Sequence, residues 1–226
     1  MEASDPGAQS PIRHVVVLGH PAPASFNRSV AETYCETVRA CGQEAELRDL
    51  YGLGFDPLLK ANERPGTPGF APAADVQAEL DCIAGGAIIT MIYPIWFGMP
   101  PAIIKGYIER VLGAGFQARD IKNGVANPLL QGKRLMLFSS SASTRPWLEE
   151  QGQWLGLRQT FETYLSTIFG MEAAEHVHFD AVVEGLKPCL GEENLAAVRE
   201  RTRAVCATML SERHAAKLHP ATGWSV

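Results

Sequence analysis

Val15-Val16-Val17-Leu18-Gly19-His20-Pro21-Ala22-Pro23-Ala24-Ser25-Phe26-Asn27 is the stretch whose reading decides the fold. Its first four residues are apolar and largely β-branched, as in a strand buried on both faces. Its end leads into a segment with helical spacing: Val30, Tyr34, Val38 and Cys41 share one face, and Gly42 stands where a helix would stop. The first turn of such a helix has unpaired N–H groups and a dipole that favours negative charge. Ser25 and Asn27 can cap that turn or donate to a phosphate, and His20 can donate an imidazole N–H. The loop reads as the phosphate cradle of a nucleotide-type cofactor.

Outward from this junction the pattern repeats. Strands are expected at 13–19, 44–50, 87–92, 135–138 and 174–180. Helices are expected at 27–41, 73–84, 102–112, 151–169 and 192–212. The Gly- and Pro-rich segment 51–71 reads as a functional or dimer-facing loop, and 113–131 as irregular. Short buried strands alternating with helices imply an α/β fold with a parallel sheet covered by helices on both faces. Right-handed crossovers then give a flavodoxin-like, doubly wound, five-stranded sheet of order 2-1-3-4-5. Ligands of such sheets bind at the carboxyl ends of the strands, where the loops after strands one, three and four meet. Residues 1–11 read as a disordered tail, 12–213 as a single flavodoxin-like domain, and 214–226 as a C-terminal tail.

Bulk properties narrow the function. The 226 residues are 46% hydrophobic and 20% charged, with net charge −5. No basic field calls for nucleic acid or an anionic membrane surface. No apolar run approaches the ~20 residues that span a bilayer, and the start lacks the pattern of a signal peptide, so a cytoplasmic protein without membrane insertion is expected. Cys35, Cys41, Cys82, Cys189 and Cys206 are scattered, with no C-x-x-C, and read as reduced thiols; no metal site is expected.

Two further loops carry chemistry. After the third strand comes Tyr93-Pro94-Ile95-Trp96-Phe97-Gly98-Met99-Pro100-Pro101, in which prolines fix large aromatics. A flat conjugated ring needs such a surface on one face and open access on the other. After the fourth strand comes Ser139-Ser140-Ser141-Ala142-Ser143-Thr144, small and rich in donors. Lys105 reads as a helix-surface residue rather than a catalytic amine. Trp147 and Trp154 are candidate walls of a substrate pocket, and either could equally be core.

Over roughly 13–180 the chain resembles the flavodoxin-like NAD(P)H:quinone oxidoreductases, which include flavoprotein ancillary subunits of potassium efflux systems. The family's H-x4-S-F-N loop, met here by His20, Ser25, Phe26 and Asn27, binds the flavin phosphates. Its P-x-x-W/F loop, followed by P-A-x-x-K-G, holds the isoalloxazine ring; Pro94, Ile95, Trp96, Phe97 and Gly98 stand there, then Pro101, Ala102, Lys105 and Gly106. The family's T-T-G-G loop falls on Ser140, Ser141, Ala142 and Ser143, which keep the hydroxyls and lose the glycines. Ser140 and Ser141 are then candidates to stabilise charge at flavin N1 and O2. Leu148 and Trp154 stand where mammalian-type members have a tyrosine and a histidine that assist hydride transfer. Ala118 and Asp120 stand where those members place two tyrosines from the neighbouring subunit.

The resemblance implies a flavin cofactor, with FAD ordered ahead of FMN, and NAD(P)H as co-substrate. A quinone-like acceptor would be reduced by a ping-pong mechanism in a homodimer. Its alternative is a flavin-binding regulatory subunit of a membrane transport system with little turnover.

Overall fold

The computed structural model describes residues 10–64 and 66–218. Five parallel strands form one sheet, β1 (Arg13–Leu18), β2 (Glu44–Asp49), β3 (Ile88–Pro94), β4 (Arg134–Ser140) and β5 (Glu172–Phe179), in the order β2-β1-β3-β4-β5. This is the order expected from the alternating pattern. β3 is buried at every position, and β1 and β4 at every position after their first. Both faces of the central strands are therefore covered, which is why these segments read as continuous apolar runs.

Helix α1 (Phe26–Ala40) and α8 (Pro188–Leu218) cover one face. There Val30, Tyr34, Val38, Val198 and Val205 pack on Val16, Leu18, Ile88, Ile92, Met136 and Phe138. The other face carries α2 (Ala74–Ala84) and α3 (Ala102–Tyr107), which runs on through a π-helical turn (Ile108–Leu112). The short α4 (Ala118–Lys122) follows. Before β5 come α5 (Arg145–Glu150), α6 (Gln153–Leu157), a second π-helical turn (Arg158–Tyr164) and α7 (Leu165–Phe169). Ile104, Tyr107, Val111, Leu157, Phe161 and Phe169 lie in the core with Val15, Val17, Ile89, Met91, Leu135 and Leu137.

Several expected boundaries move. The helix expected over 151–169 runs from Gln153 to Phe169: Gly152, with a left-handed φ of 69°, precedes its first residue, and a π turn interrupts its α geometry without ending it. Segment 113–131 contains α4, and 51–71 contains a 3-10 turn (Ala61–Glu63). That turn is anchored because Glu63 pairs with Arg110 at 2.7 Å, both side chains 2% exposed. β5 begins earlier than expected, and the last helix extends to Leu218, so 214–218 are helix rather than tail. The tail readings at 1–9 and 219–226 lie outside the described residues.

Candidate functional site

The cradle is built as its sequence suggests. Ser25 is the N-cap of α1, with extended backbone, and its hydroxyl oxygen accepts from the Arg28 N–H at 3.2 Å. The hydroxyl proton of Ser25 remains free to donate. Among the described residues no hydrogen bond takes up the N–H of Phe26 or Asn27. His20 Nδ1 accepts from the Ala22 N–H at 3.1 Å, which leaves the proton of the neutral ring on Nε2 as a donor. Partial burial holds His20 below the usual histidine range against the opposing pull of that bond, which favours the neutral form. Four donors thus gather where the helix dipole favours an anion.

Three loops are tied together at this rim. Asn27, 4% exposed, donates Nδ2–H to Ser140 Oγ at 2.9 Å, and Ser140 Oγ donates back to Asn27 Oδ1 at 3.3 Å. The Ile95 N–H donates to the Ser140 carbonyl at 2.6 Å. The His20 and Trp96 rings lie 5.7 Å apart, tilted by 60°. The start of α1, the loop after β3 and the end of β4 therefore meet, as the topology requires.

The β3 loop is a tight turn. Trp96 and Met99 exchange backbone hydrogen bonds at 2.9 and 3.1 Å, and the two residues between them, Phe97 and Gly98, have φ of 51° and 79°. Positive φ at both central positions is the pattern of a type I′ turn. For an aromatic residue it is strained. Phe97 is nonetheless fully exposed, and Trp96 is 41% exposed, so the strain presents apolar rings to solvent. Beneath them, Gly98 and Met99 join Gln153, Gly156, Leu157, Thr160 and Phe161 around an open cleft of about 480 Å³.

The β4 loop answers the question raised by its missing glycines. Among the described residues the non-glycine positions with positive φ are Phe97 and Ala181, so Ser140, Ser141, Ala142 and Ser143 sit in conformations that any residue adopts. The Ser141 N–H is used by the Phe179 carbonyl, whereas no hydrogen bond among the described residues takes up the N–H of Ala142 or Ser143.

The remaining residues singled out in the sequence lie as follows. Phe26 packs edge-on against Phe179, at 5.3 Å and 82°, so its half-buried ring anchors α1 to the core while its N–H faces the cradle. Lys105 is exposed and paired with Glu109 on the helix surface. Trp147 is exposed, and Trp154 is buried; neither lines the cleft. Trp154 lies 5.0 Å from the rings of both His176 and His178, with the Arg145 guanidinium 4.9 Å from its own ring centre.

Those histidines belong to a network absent from the sequence reading. Ser139 Oγ lies 2.6 Å from His176 Nε2 and 2.8 Å from His178 Nδ1. His176 Nδ1 lies 2.7 Å from Glu162 Oε1, and His178 Nε2 lies 3.1 Å from Ser141 Oγ. Burial, reinforced by neighbouring His176, pushes His178 down to about 4, so it is neutral near pH 7. For Glu162 burial acts in the raising direction, but hydrogen bonds from His176 and Arg158 outweigh it and hold the carboxyl below its usual range. The available signal was His-x-His on a strand beside a serine-ended strand, which register places side by side: Ser139 pairs with His178.

Residues 13–205 match the flavodoxin-like fold family. The chain belongs to that family. Over 165 residues it is 32% identical to an uncharacterised NAD(P)H oxidoreductase of Haemophilus influenzae, covering 73% of this chain and 81% of that one. It is also 32% identical over 122 residues to the rat NAD(P)H dehydrogenase [quinone] 1, spanning 46% of this chain and 44% of the rat enzyme. Among solved structures, an NAD(P)H:quinone oxidoreductase from Methanothermobacter marburgensis superposes with TM-score 0.71 at 22% identity, over 87% of this chain and 98% of the other. An FMN-dependent NADH-azoreductase of Bacillus anthracis, solved with FMN, gives TM-score 0.62 at 15% identity, over 86% and 99%. These last two show the fold. The ordering of FAD ahead of FMN has no backing here, since the neighbour whose bound cofactor is named holds FMN.

Among the described residues no group of three or more His, Cys, Asp or Glu side chains is placed to hold a metal ion. None of their helices is long and apolar enough to cross a membrane. All five cysteines are free.

Proposed function

We propose that this chain is a flavin-dependent NAD(P)H oxidoreductase that reduces a quinone-like acceptor. One observation carries the reading: Asn27, Ser140, Ile95, His20 and Trp96 lock three loops into one rim, with donors at one end and exposed aromatics at the other. The residues fit a flavin nucleotide. Ser25, His20 and the free N–H groups of Phe26 and Asn27 suit its phosphate. The N–H groups of Ala142 and Ser143 suit the polar edge of its ring, and Trp96 and Phe97 its face. When bound, a flavin supplies hydride transfer between the nicotinamide and the acceptor.

The chain's own part is to hold that ring, leave one side open for successive occupants, and meet developing negative charge with fixed donors around Ser141. The open cleft beside Gly98 suits either occupant. We further propose a homodimer. Its support is a second, mainly apolar cleft of about 800 Å³ among Leu59, Ile108, Phe116, Ile121, Tyr164 and Ile168, with Tyr164 and Ile121 exposed beside it. The free thiols fit the reducing, cytoplasmic setting we assign to it.

The test is to purify the chain, supply FMN or FAD, weigh the released chromophore, and follow NAD(P)H oxidation with a simple quinone. A yellow protein with turnover is expected. A preparation that stays colourless after soaking in either flavin would refute the assignment. A loaded but inert protein would favour a flavin-binding regulatory subunit instead.

A further inference from the structure

We propose that Glu162, His176, Ser139, His178 and Ser141 form a proton relay serving the loop after β4. The proposal rests on the reading of that loop as the edge of a redox site. The links are continuous: 2.7 Å from Glu162 to His176, 2.6 Å to Ser139, 2.8 Å to His178 and 3.1 Å to Ser141. Ser141 Oγ also lies 2.7 Å from the Ser143 carbonyl, the acceptor for its one proton when that proton is not given to His178, which brings the relay into the turn itself. Its outer end, Glu162, is 7% exposed but pairs with Arg158, which is 55% exposed.

Chemistry allows this chain two proton orders. Ionised Glu162 only accepts, so His176 Nδ1 carries a proton in both. With His176 neutral, its Nε2 accepts from Ser139. Ser139 then accepts from His178 Nδ1–H, and His178 Nε2 accepts from Ser141, so every donor points towards Glu162. One proton added at His176 reverses the order. His176 Nε2–H donates to Ser139, Ser139 to His178 Nδ1, and His178 Nε2–H to Ser141, whose own O–H is released towards the loop.

The second order supplies what the reaction consumes. Quinone, NAD(P)H and one proton give quinol and NAD(P)⁺. In the transfer the Ser141 O–H bond breaks as an O–H bond forms on the acceptor. Ser141 takes the Nε2 proton of His178, His178 Nδ1 takes the Ser139 proton, and Ser139 takes the Nε2 proton of His176. His176 ends neutral and Glu162 stays ionised; because the Nδ1 facing Glu162 keeps its proton, a solvent proton recharges His176 Nε2 by the same links run backwards from the loop end once product has left. No electrons move along the relay. The groups facing the histidines are Glu162 from the π turn, Ser139 from β4, Asp180 beyond β5, and Trp154 and Arg145 from the helices above.

Imidazole nitrogen NMR on histidine-labelled protein without added flavin reads the relay directly. His178 should remain neutral but exchange its Nδ1–H for an Nε2–H form as His176 gains its proton. Ser139→Ala should abolish that exchange and Ser139→Thr restore it. In flavin-loaded protein, S139A should slow acceptor reduction by about 100-fold, the low end for general acid catalysis, and remove its solvent deuterium effect while hydride uptake from NAD(P)H is unchanged.

A His178 tautomer that stays fixed while His176 titrates overturns the relay, as does an exchange that survives in S139A. Ser139→Thr guards against misfolding of S139A: an exchange that S139T fails to restore also overturns the relay. Flavin uptake with a fixed tautomer sinks the relay alone. A switching tautomer in a protein that never takes up flavin sinks the functional reading, and the relay's role with it.

Discussion

The Asn27–Ser140 pair makes the joint between the cradle and the β4 loop measurable. Both side chains are buried, at 4% and 3% exposure, and they exchange hydrogen bonds at 2.9 and 3.3 Å. Asn27→Ala strands the buried Ser140 hydroxyl, and Ser140→Ala strands the buried Asn27 amide. Each single change should therefore cost about 1–3 kcal/mol, above the ~1 kcal/mol net worth of the bonds themselves. In the double variant no partner is left unpaired, so the combined loss should fall short of the sum by about 1 kcal/mol or more. Urea unfolding of the four proteins, with and without FMN, supplies the cycle. FMN affinity should fall about 5–30-fold in each single variant, corresponding to about 1–2 kcal/mol of lost preorganisation. Losses that add to within ~0.5 kcal/mol would show that the two residues act independently, and the argument that this bond locks two loops into one rim would be wrong.

Other consequences are simpler. Ser25→Ala removes the cap of α1 and should lower stability by about 1 kcal/mol, with a parallel loss of flavin affinity, both readable in one ligand-dependent melt. Arg110→Ala leaves Glu63 buried and unpaired, and should cost about 3–5 kcal/mol in a denaturant titration; Arg110→Ala with Glu63→Leu should recover much of it. Acid sensitivity follows from His178. The unfolded chain takes a proton near pH 6.5 that the folded chain refuses until about 4, so stability falls as pH drops through that window, by up to about 3 kcal/mol. His14, buried against Tyr34 and Gln43 and also held below its usual range, acts in the same direction. His178→Gln should therefore flatten the profile only in part, which unfolding at stepped pH would check.

The strand order and the meeting of three loops were legible because both depend on period and position. Apolar runs such as Ile88-Ile89-Thr90-Met91-Ile92 can be satisfied only between two helical layers, and the right-handed crossover rule leaves few orders for five such strands. The cap at Ser25 was legible because a helix start needs an oxygen at that place. The π turn after Leu157 was not. Gln153-Trp154-Leu155-Gly156-Leu157 reads as helix throughout, and winding by one extra residue per turn leaves no local mark in composition. The packing of the Phe26 ring was hidden for a related reason. Its neighbours in sequence face the rim, but its own ring turns back to Phe179, a partner far away along the chain.

The polar network below the β4 loop shows why the remainder stayed hidden, and why it bears on function. Strand period puts Leu135, Leu137 and Ser139 on one face, and register sets His178 beside Ser139 with His176 two residues earlier. A strand there with valines in place of both histidines would have extended the apolar core. Burying two imidazoles, a hydroxyl and a carboxylate instead is costly unless each is partnered, and each partner comes from a different element: β4, β5, the π turn and the loop. The π turn matters in that sum, because its extra residue alters which side chains a helix turns towards the sheet, and Glu162 is one of them. A fold under selection for stability alone has a cheaper solution at this corner. That it holds a closed line of exchangeable protons, aimed at the loop proposed to carry the reaction, is best accounted for by a demand for protons there.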